Sequence, residues 1–189
     1  MNEERFNQIQ RLFLNYQPRK EITLESIPAP HKLAKYAFAL NADVSNGLLG
    51  DAEDQLASGR FVLLHEPNGQ DTWNGEFRCV TYLNAALDDV MQDDPTLPEH
   101  GWQWLLDSLA NAGCAFINPS GTVTRSISKS FGKLSNDSDG GEIEIRASWT
   151  PGFDEIEELR NHLVAWCNLL EEISGLQPIP DGVASFRSK

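Results

Sequence analysis

The sequence is poor in cysteine, and the few cysteines it has are scattered. Three occur in 189 residues, Cys79, Cys114 and Cys167, with no C-x-x-C motif. An odd number of widely spaced cysteines is typical of reduced thiols, so we predict a cytoplasmic protein without disulfides. Cys79 lies in a strand pattern and Cys167 on the apolar side of a helical pattern. We therefore expect both thiols to be buried and unreactive.

Basic residues are also scarce, because 15 Lys and Arg stand against 28 Asp and Glu and the net charge is −13. A negative field repels nucleic-acid phosphates and anionic lipid, so we expect neither nucleic acid nor membrane as a partner. The N-terminal residues include acids where a signal peptide has bases. No run approaches the roughly 18 apolar residues of a membrane span. These absences predict a soluble, intracellular protein.

Catalytic and metal-binding motifs are missing as well. The sequence has no G-x-S-x-G, P-loop or G-x-G-x-x-G pattern, and its four histidines form no zinc-type cluster. Glu158 and His162 are four residues apart on a predicted helix, which we interpret as a surface contact. The acidic loop Ser135 to Glu142 fails the calcium-loop register, and a hairpin turn explains it. We predict no catalytic residues, no metal and no cofactor.

What the sequence does contain is a series of periodic segments consistent with one domain over residues 1–189. Helical spacing predicts a helix within residues 1–17, and the tail 176–189 has no period and is expected to be loosely ordered. Further helices are predicted at about His31 to Val44, from near Pro98 to Gly113, and at Asp154 to Ser174. Strands are predicted at Glu21 to Ile27, Gly59 to Glu66, Glu76 to Leu83, Ala115 to Ile117 with Thr122 to Phe131, and Gly141 to Trp149.

This order predicts an α+β fold. Strands joined by turns pair antiparallel, and two ββα units suggest a single antiparallel sheet of about five strands. The helices, including extra N-terminal ones, are expected mainly on one face of the sheet. The strand Thr122 to Phe131 has no obvious core face, so we expect it at an edge of the sheet.

Arginines provide the best candidate site. Four of them fall on four different predicted strands: Arg60, Arg78, Arg125 and Arg146. If they share the sheet face away from the helices, they suit an anionic ligand, because a guanidinium binds carboxylate or phosphate in a bidentate manner. Tyr82 and Trp73 complete the candidate ligand-binding set of Arg78, Arg125 and Arg146. The alternative is ordinary pairing of these arginines with Glu76, Glu142 and Glu144.

Several segments resemble a known family. They are PAPHKLAKYAFALNADV, GRFVLLHEPNGQDTWNGEFRCVTYL, LPEHGWQWLLDSL, GTVTRSISKSFG and EIRASWTPGF. Together, over roughly Ile22 to Leu176, they are similar to a group of actinobacterial proteins known only as a domain of unknown function, family number 3000. The resemblance implies a bacterial cytoplasmic protein and brings no activity, cofactor or catalytic residue. It draws attention to Trp73, Trp102, Thr124 to Arg125 and Arg146 to Trp149.

Two functions remain open from the sequence. The first is a cytoplasmic binding or adaptor module that acts through protein–protein contact, either with a second copy as a homodimer or with another protein. The alternative is a small-molecule protein or enzyme that uses the strand arginines on an anionic ligand. Because no catalytic motif is present, we favour the binding module over an enzyme.

Overall fold

A computed structural model describes residues 2–46, 55–134 and 140–177. Its helices are α1 (Asn2–Leu14), α2 (Asp89–Gln92), α3 (Leu97–Asn111) and α4 (Leu159–Ile173). Its strands are β1 (Ile22–Ile27), β2 (Tyr36–Ser45), β3 (Gln55–Gln70), β4 (Gly75–Ala86), β5 (Ala115–Ser128) and β6 (Gly140–Gly152). Short 3-10 turns cover Gly132–Leu134 and Ile156–Glu158.

The six strands form one sheet in the order β1-β2-β3-β4-β6-β5, and each neighbouring pair is antiparallel. The predicted α+β class with a single antiparallel sheet is therefore confirmed. The long helices α1, α3 and α4 pack over one face of the sheet, which we call the helix face. The other face is called the open face below.

The core lies between the helix face and these three helices. Period-2 alternation places Phe61 of β3 and Trp149 of β6 toward the helices, and α4 contributes Trp166. Both tryptophans are completely buried, as their places in the apolar patterns predict. The ring of Phe13 in α1 packs against the ring of Phe61, so the N-terminal helix covers one end of the core.

The predicted helix at His31 to Val44 is wrong, because residues Tyr36–Ser45 form strand β2. The stretch YAFALNADV fits both the helical period of about 3.6 residues and the strand period of two, because alanines fill the positions between the larger side chains. Phe38 and Leu40 point to the helix face, while Ala39 is buried on the open face. A strand that is buried on both faces has a continuous apolar run, which periodicity cannot distinguish from a helix.

The two last strands differ from the prediction in detail. Strand β5 is continuous through Asn118 and Pro119, where its register against β6 shifts, and it lies at the sheet edge as predicted. Strand β6 runs past Pro151 to Gly152 because its pairing with β4 ends at Trp149, so the missing N–H of proline is not needed there. The α-helix after it begins at Leu159 rather than at Asp154.

The open face is only partly covered. A small apolar cluster of Ala39, Val62 and Leu64 is packed against half-buried residues of the β1–β2 connection and of the β3–β4 hairpin. Toward β5 the same face is polar. The predicted acidic turn falls largely on residues 135–139 and most of the predicted tail on residues 178–189, which lie outside the described residues. Within the described ranges no helix is long and apolar enough to cross a membrane.

Candidate functional site

Alternation along the strands determines which of the predicted site residues meet. Arg78 and Tyr82 of β4 and Arg146 of β6 all lie on the open face. Tyr82 is paired directly with Arg146 across the two strands. Arg125 of β5 is paired with Ile143, a core residue, and therefore lies on the helix face. The five predicted residues thus do not form one site, since Arg125 is turned to the other side of the sheet.

Arg125 has a structural role on that other side. Its Nη1 donates a hydrogen bond of 2.6 Å to the backbone oxygen of Gln92. This contact fastens the C-terminal end of the short helix α2 to the middle of β5. The sequence did not reveal this role, because nothing in the pattern of β5 indicated which of its two faces met the helices.

Arg78 is the most unusual residue of the open face, since it is a cation with only 7% of its surface exposed. Its Nη1 donates to the backbone oxygen of Asn118 and to Thr150 Oγ1, both at 3.0 Å. Its Nη2 donates to Ser120 Oγ at 3.1 Å, and to Ser148 Oγ at 2.8 Å and the Ser148 backbone oxygen at 3.2 Å. Every acceptor is neutral, and burial lowers the pKa of the guanidinium.

These bonds explain the local shape of β5. Asn118 has a φ of 52°, a left-handed conformation that asparagine tolerates better than most residues. Its carbonyl oxygen turns toward Arg78, and the strand shifts register between Ile117 and Ser120. The guanidinium therefore holds the shifted segment against β6. Such a role needs the fork of donors that arginine provides and lysine does not.

Arg146 is exposed and paired locally. Its Nε lies 2.7 Å from Glu144 Oε1, with 64% of the arginine side chain exposed, and its guanidinium stands 5.4 Å from the centre of the Tyr82 ring. The hydrogen bond from Arg146 lowers the pKa of Glu144, whereas partial burial and the contact with Glu144 raise the pKa of Tyr82. Arg146 is therefore paired with a glutamate, as the alternative prediction has it, and this glutamate lies on the same strand as Arg146. Among the described residues Arg78 has no such ion pair.

Trp73 anchors the hairpin between β3 and β4. Its side chain packs against the apolar cluster on the open face. Its backbone oxygen accepts hydrogen bonds from Thr150 Oγ1 and from Asn118 Nδ2. The residue therefore links the hairpin to the segment that Arg78 organises, and its ring covers apolar surface.

A shallow trough of about 360 Å³ lies on the open face where β4, β5 and β6 adjoin. Its lining includes Arg146 and three hydroxyl groups, those of Ser120, Thr122 and Ser148. No carboxylate lines it. The trough thus presents hydroxyl groups and a guanidinium without a carboxylate, in a protein whose overall charge is strongly negative.

The outer edge of β5 is a second candidate surface. In the described part of the chain β5 has a strand neighbour on one side only. All fourteen of its residues are exposed or half-buried. Near the C-terminal end of β5, Ile127 exposes 49% of its surface, and Phe131, which follows the strand, exposes 74%. An unpaired edge of this length is a ready template for another strand.

Two buried histidines were missed by sequence reasoning. His162 is 1% exposed and accepts a hydrogen bond of 3.0 Å from Trp149 Nε1, so the predicted surface contact with Glu158 is wrong. His65 stacks on Phe77 with ring centres 4.1 Å apart. Burial lowers the pKa of both rings. Both histidines lie at core positions of apolar patterns, and this placement was the signal in the sequence that they are buried.

Among the described residues no group of three His, Cys, Asp or Glu side chains could hold a metal ion. The thiols of Cys79 and Cys167 are free and buried, as predicted, and Cys114 is half-buried. Burial raises the pKa of all three thiols. These cysteines are packing residues and do not form an activated nucleophile.

Together these features define an α+β protein with one antiparallel sheet, helices over one face and a largely polar second face. The chain belongs to the family described as Protein of unknown function (DUF3000), whose model matches residues 2–184. This match confirms the family to which the sequence segments pointed. The chain matches no curated protein and no solved structure.

Proposed function

We propose that this protein is a binding module that joins chains by strand addition at the outer edge of β5, and that the partner is a second copy of the chain. The observation that carries the proposal is the exposed fourteen-residue edge strand. The absence of a catalytic motif in the sequence favours binding over catalysis. The three unpaired cysteines support a cytoplasmic location, and the segments that resemble the family support an actinobacterial origin.

Backbone alternation shows which groups β5 offers. Leu87 N donates to Gly141 O at 2.8 Å, so odd-numbered residues of β6 direct their backbone groups to β4 and even-numbered ones to β5. Even-numbered residues of β5 are paired with even-numbered residues of β6. The N–H and C=O groups of Val123, Arg125 and Ile127 therefore point away from the sheet. A second strand could bind to all of them.

The side chains define a register for a second copy. After the register shift, β5 pairs regularly with β6 from Ser120 to Ser128, and Thr124 is the midpoint. A two-fold axis at Thr124 would use this whole segment in an antiparallel pair. It places Arg125 opposite Val123 of the other copy, so that like charges do not face each other.

The same register covers exposed apolar surface. Ile127 would stand opposite Gly121 of the other copy, on the helix side of the sheet. The Trp102 ring lies directly over Gly121, because a Cβ at this position would be only 3.0 Å from the ring. Ile127 could thus contact that ring, and its 49% exposure in the single chain would fall.

Charge favours this edge over other surfaces. Two copies that each carry −13 repel one another at long range. Salt screens this repulsion over about 8 Å, so close contact depends on the charges at the interface itself. The segment Ser120 to Ser128 contains no carboxylate, and Arg125 is its only charged residue. The contact would therefore form where the acidic surface is interrupted.

Sedimentation analysis of the wild type and two proline variants tests the proposal. Ile127→Pro removes an outward N–H of β5, whereas Ser26→Pro is the matched control on the opposite edge, since Ser45 N donates to Glu21 O and even residues of β1 point outward. We expect dimers for the wild type and Ser26→Pro, and monomers for Ile127→Pro. Ile127→Asp, checked for folding by circular dichroism, should also be monomeric. A wild type that stays monomeric at high micromolar concentration would overturn the proposal.

A further inference from the structure

The buried cation of Arg78 lacks a carboxylate partner within the described ranges. Buried charges are usually paired, because moving an isolated ion out of water is costly. Here the four hydrogens of Nη1 and Nη2 are taken up by neutral oxygens of Asn118, Ser120, Ser148 and Thr150. These contacts engage both terminal nitrogens of the guanidinium, but they leave its positive charge uncompensated. That charge acts on the groups around it.

The neighbouring hydroxyl groups are oriented by this arrangement. Ser120 Oγ and Ser148 Oγ both accept from Arg78 Nη2, and they lie 3.5 Å apart. A hydroxyl group has one proton, and when its oxygen accepts a hydrogen bond this proton points away from the donor. Both serine protons are therefore directed away from Arg78. The two serines line the trough on the open face, and one of them can also donate to the other, so at least one of the two protons is available to the trough.

Two more donors line the same trough. Thr122 contributes a hydroxyl group, and Arg146 contributes an exposed guanidinium. Arg146 is held by Glu144 in an ion pair that is largely open to water, and such pairs contribute little to stability. The guanidinium could turn from Glu144 to a ligand of higher charge. The trough thus combines the hydroxyl groups of Thr122 and at least one serine as donors, one exposed cation, and one buried cation behind them.

We infer that this trough, lined by Ser120, Thr122, Arg146 and Ser148, is a binding site for a phosphate group. A tetrahedral oxyanion offers acceptors in several directions, which suits hydroxyl donors from two strands and the fork of an arginine at one side. The site is independent of the edge of β5, because its donors lie on the open face of the sheet.

Titration with inorganic phosphate, followed by the backbone amide resonances, tests the site. Sodium chloride at the same ionic strength serves as the reference. We expect saturable shifts centred on Ser120 to Thr122 and on Arg146 to Ser148. Phenyl phosphate as a second probe distinguishes a phosphate ester from the free ion, since tighter binding of the ester would indicate that the trough also holds the attached group. Shifts that do not saturate, or that spread over the surface, would overturn the inference.

Two arginine variants sharpen the test. Arg146→Gln should weaken phosphate binding about tenfold, because a charge-assisted hydrogen bond is lost. Arg60→Gln is the matched control, because it removes the same charge. Arg60 is exposed on the same face of the sheet and does not line the trough. We expect its affinity to stay within about twofold of the wild type. Equal weakening in both variants would mean general charge attraction and would contradict the site.

Thr122→Val gives a test that leaves the charge unchanged. Thr122 is exposed, and substitutions at exposed positions change stability little, so folding should be unaffected while one donor is removed. Binding should weaken a few-fold. The edge variant Ile127→Pro should bind phosphate as the wild type does, so that failure of the dimer and failure of the phosphate site are separate results.

Discussion

Trp149 and His162 form a buried hydrogen bond in which the indole Nε1 donates to His162 Nδ1 at 3.0 Å. The bond joins strand β6 to helix α4 in the centre of the core. Both side chains are at most 1% exposed. Because Nδ1 accepts, the histidine is neutral in the native protein. Burial lowers its pKa from 6.5 to about 4.

This histidine should make the protein less stable in mild acid. Below pH 6.5 the unfolded chain binds a proton at His162, whereas the folded protein does so only near pH 4. The unfolded state therefore binds more protons in this window, and stability falls as the pH is lowered from 6.5 to 4. The loss should be about 3 kcal/mol across the window, as measured by urea unfolding at a series of pH values.

His162→Asn is the matching variant, since the asparagine Oδ1 can accept from Trp149 in place of Nδ1. Its stability should depend less steeply on pH between 6.5 and 4. A residual slope of the same sign is expected from His65, whose pKa is also lowered by burial. An unchanged slope in His162→Asn would show that His162 is not the group that titrates.

A second buried bond, between Trp166 and Thr81, predicts a stability loss without pH dependence. Trp166 Nε1 donates to Thr81 Oγ1 at 2.7 Å, and this hydroxyl donates to the backbone oxygen of Arg60. Thr81→Val keeps the shape and leaves the indole N–H unsatisfied, which should cost about 1–3 kcal/mol. Thr23→Val on the exposed side of β1 should change stability by less than about 0.5 kcal/mol. Comparable losses in both would show that the buried bond has no special importance.

Close contact between β5 and β6 depends on Gly121. A Cβ at this position would overlap the backbone oxygen of Arg146 and lie 2.9 Å from Ala147 Cα, and backbone atoms cannot move aside cheaply. Gly121→Ala should therefore destabilise the protein by about 1–3 kcal/mol in thermal or urea unfolding. Gly140→Ala is the control, because a Cβ there meets nothing within 4 Å. A neutral Gly121→Ala would mean that β5 is not held in this register.

Thiol reactivity tests the packing role of the cysteines. Burial raises the pKa of Cys114 to about 12, and burial also raises the pKa of Cys79 and Cys167 above the ordinary value. At pH 8 the thiolate fraction is therefore very small, and native protein should react slowly with a disulfide reagent. In denaturant all three thiols should react at once. Rapid labelling of any thiol in the native protein would contradict this packing.

The sequence predicted those parts of the fold in which one side of a segment was clearly apolar. The apolar residues of helices α1 and α4 recur at helical spacing, and those of strand β6 alternate with polar ones. The edge position of β5 followed from its lack of a core face. Strand β2 was misread because Ala37, Ala39 and Ala42 fit either period. A small residue carries little information about which face is buried.

The candidate site was predicted less well, for a related reason. Which residues share a strand face follows from parity, and Arg78 with Tyr82 was correctly grouped in this way. How the faces of different strands combine depends on register, which the sequence does not show, and so Arg125 was grouped with residues on the opposite face. The neutral partners of Arg78 come from β5 and β6, far away in sequence.

Oxidative cross-linking of single-cysteine additions tests the central claim, the two-fold contact at β5. Thr124→Cys would place two cysteines about 4.5 Å apart between Cα atoms, within the range of a disulfide. Ser126→Cys would separate its two copies by about 13 Å, so it should not cross-link alone but should do so when mixed with Thr122→Cys. The account predicts a covalent dimer for Thr124→Cys and for this mixture only, with the wild type as the control. A Thr124→Cys protein that remains monomeric under oxidation, or a Ser126→Cys protein that cross-links equally well alone, would contradict it.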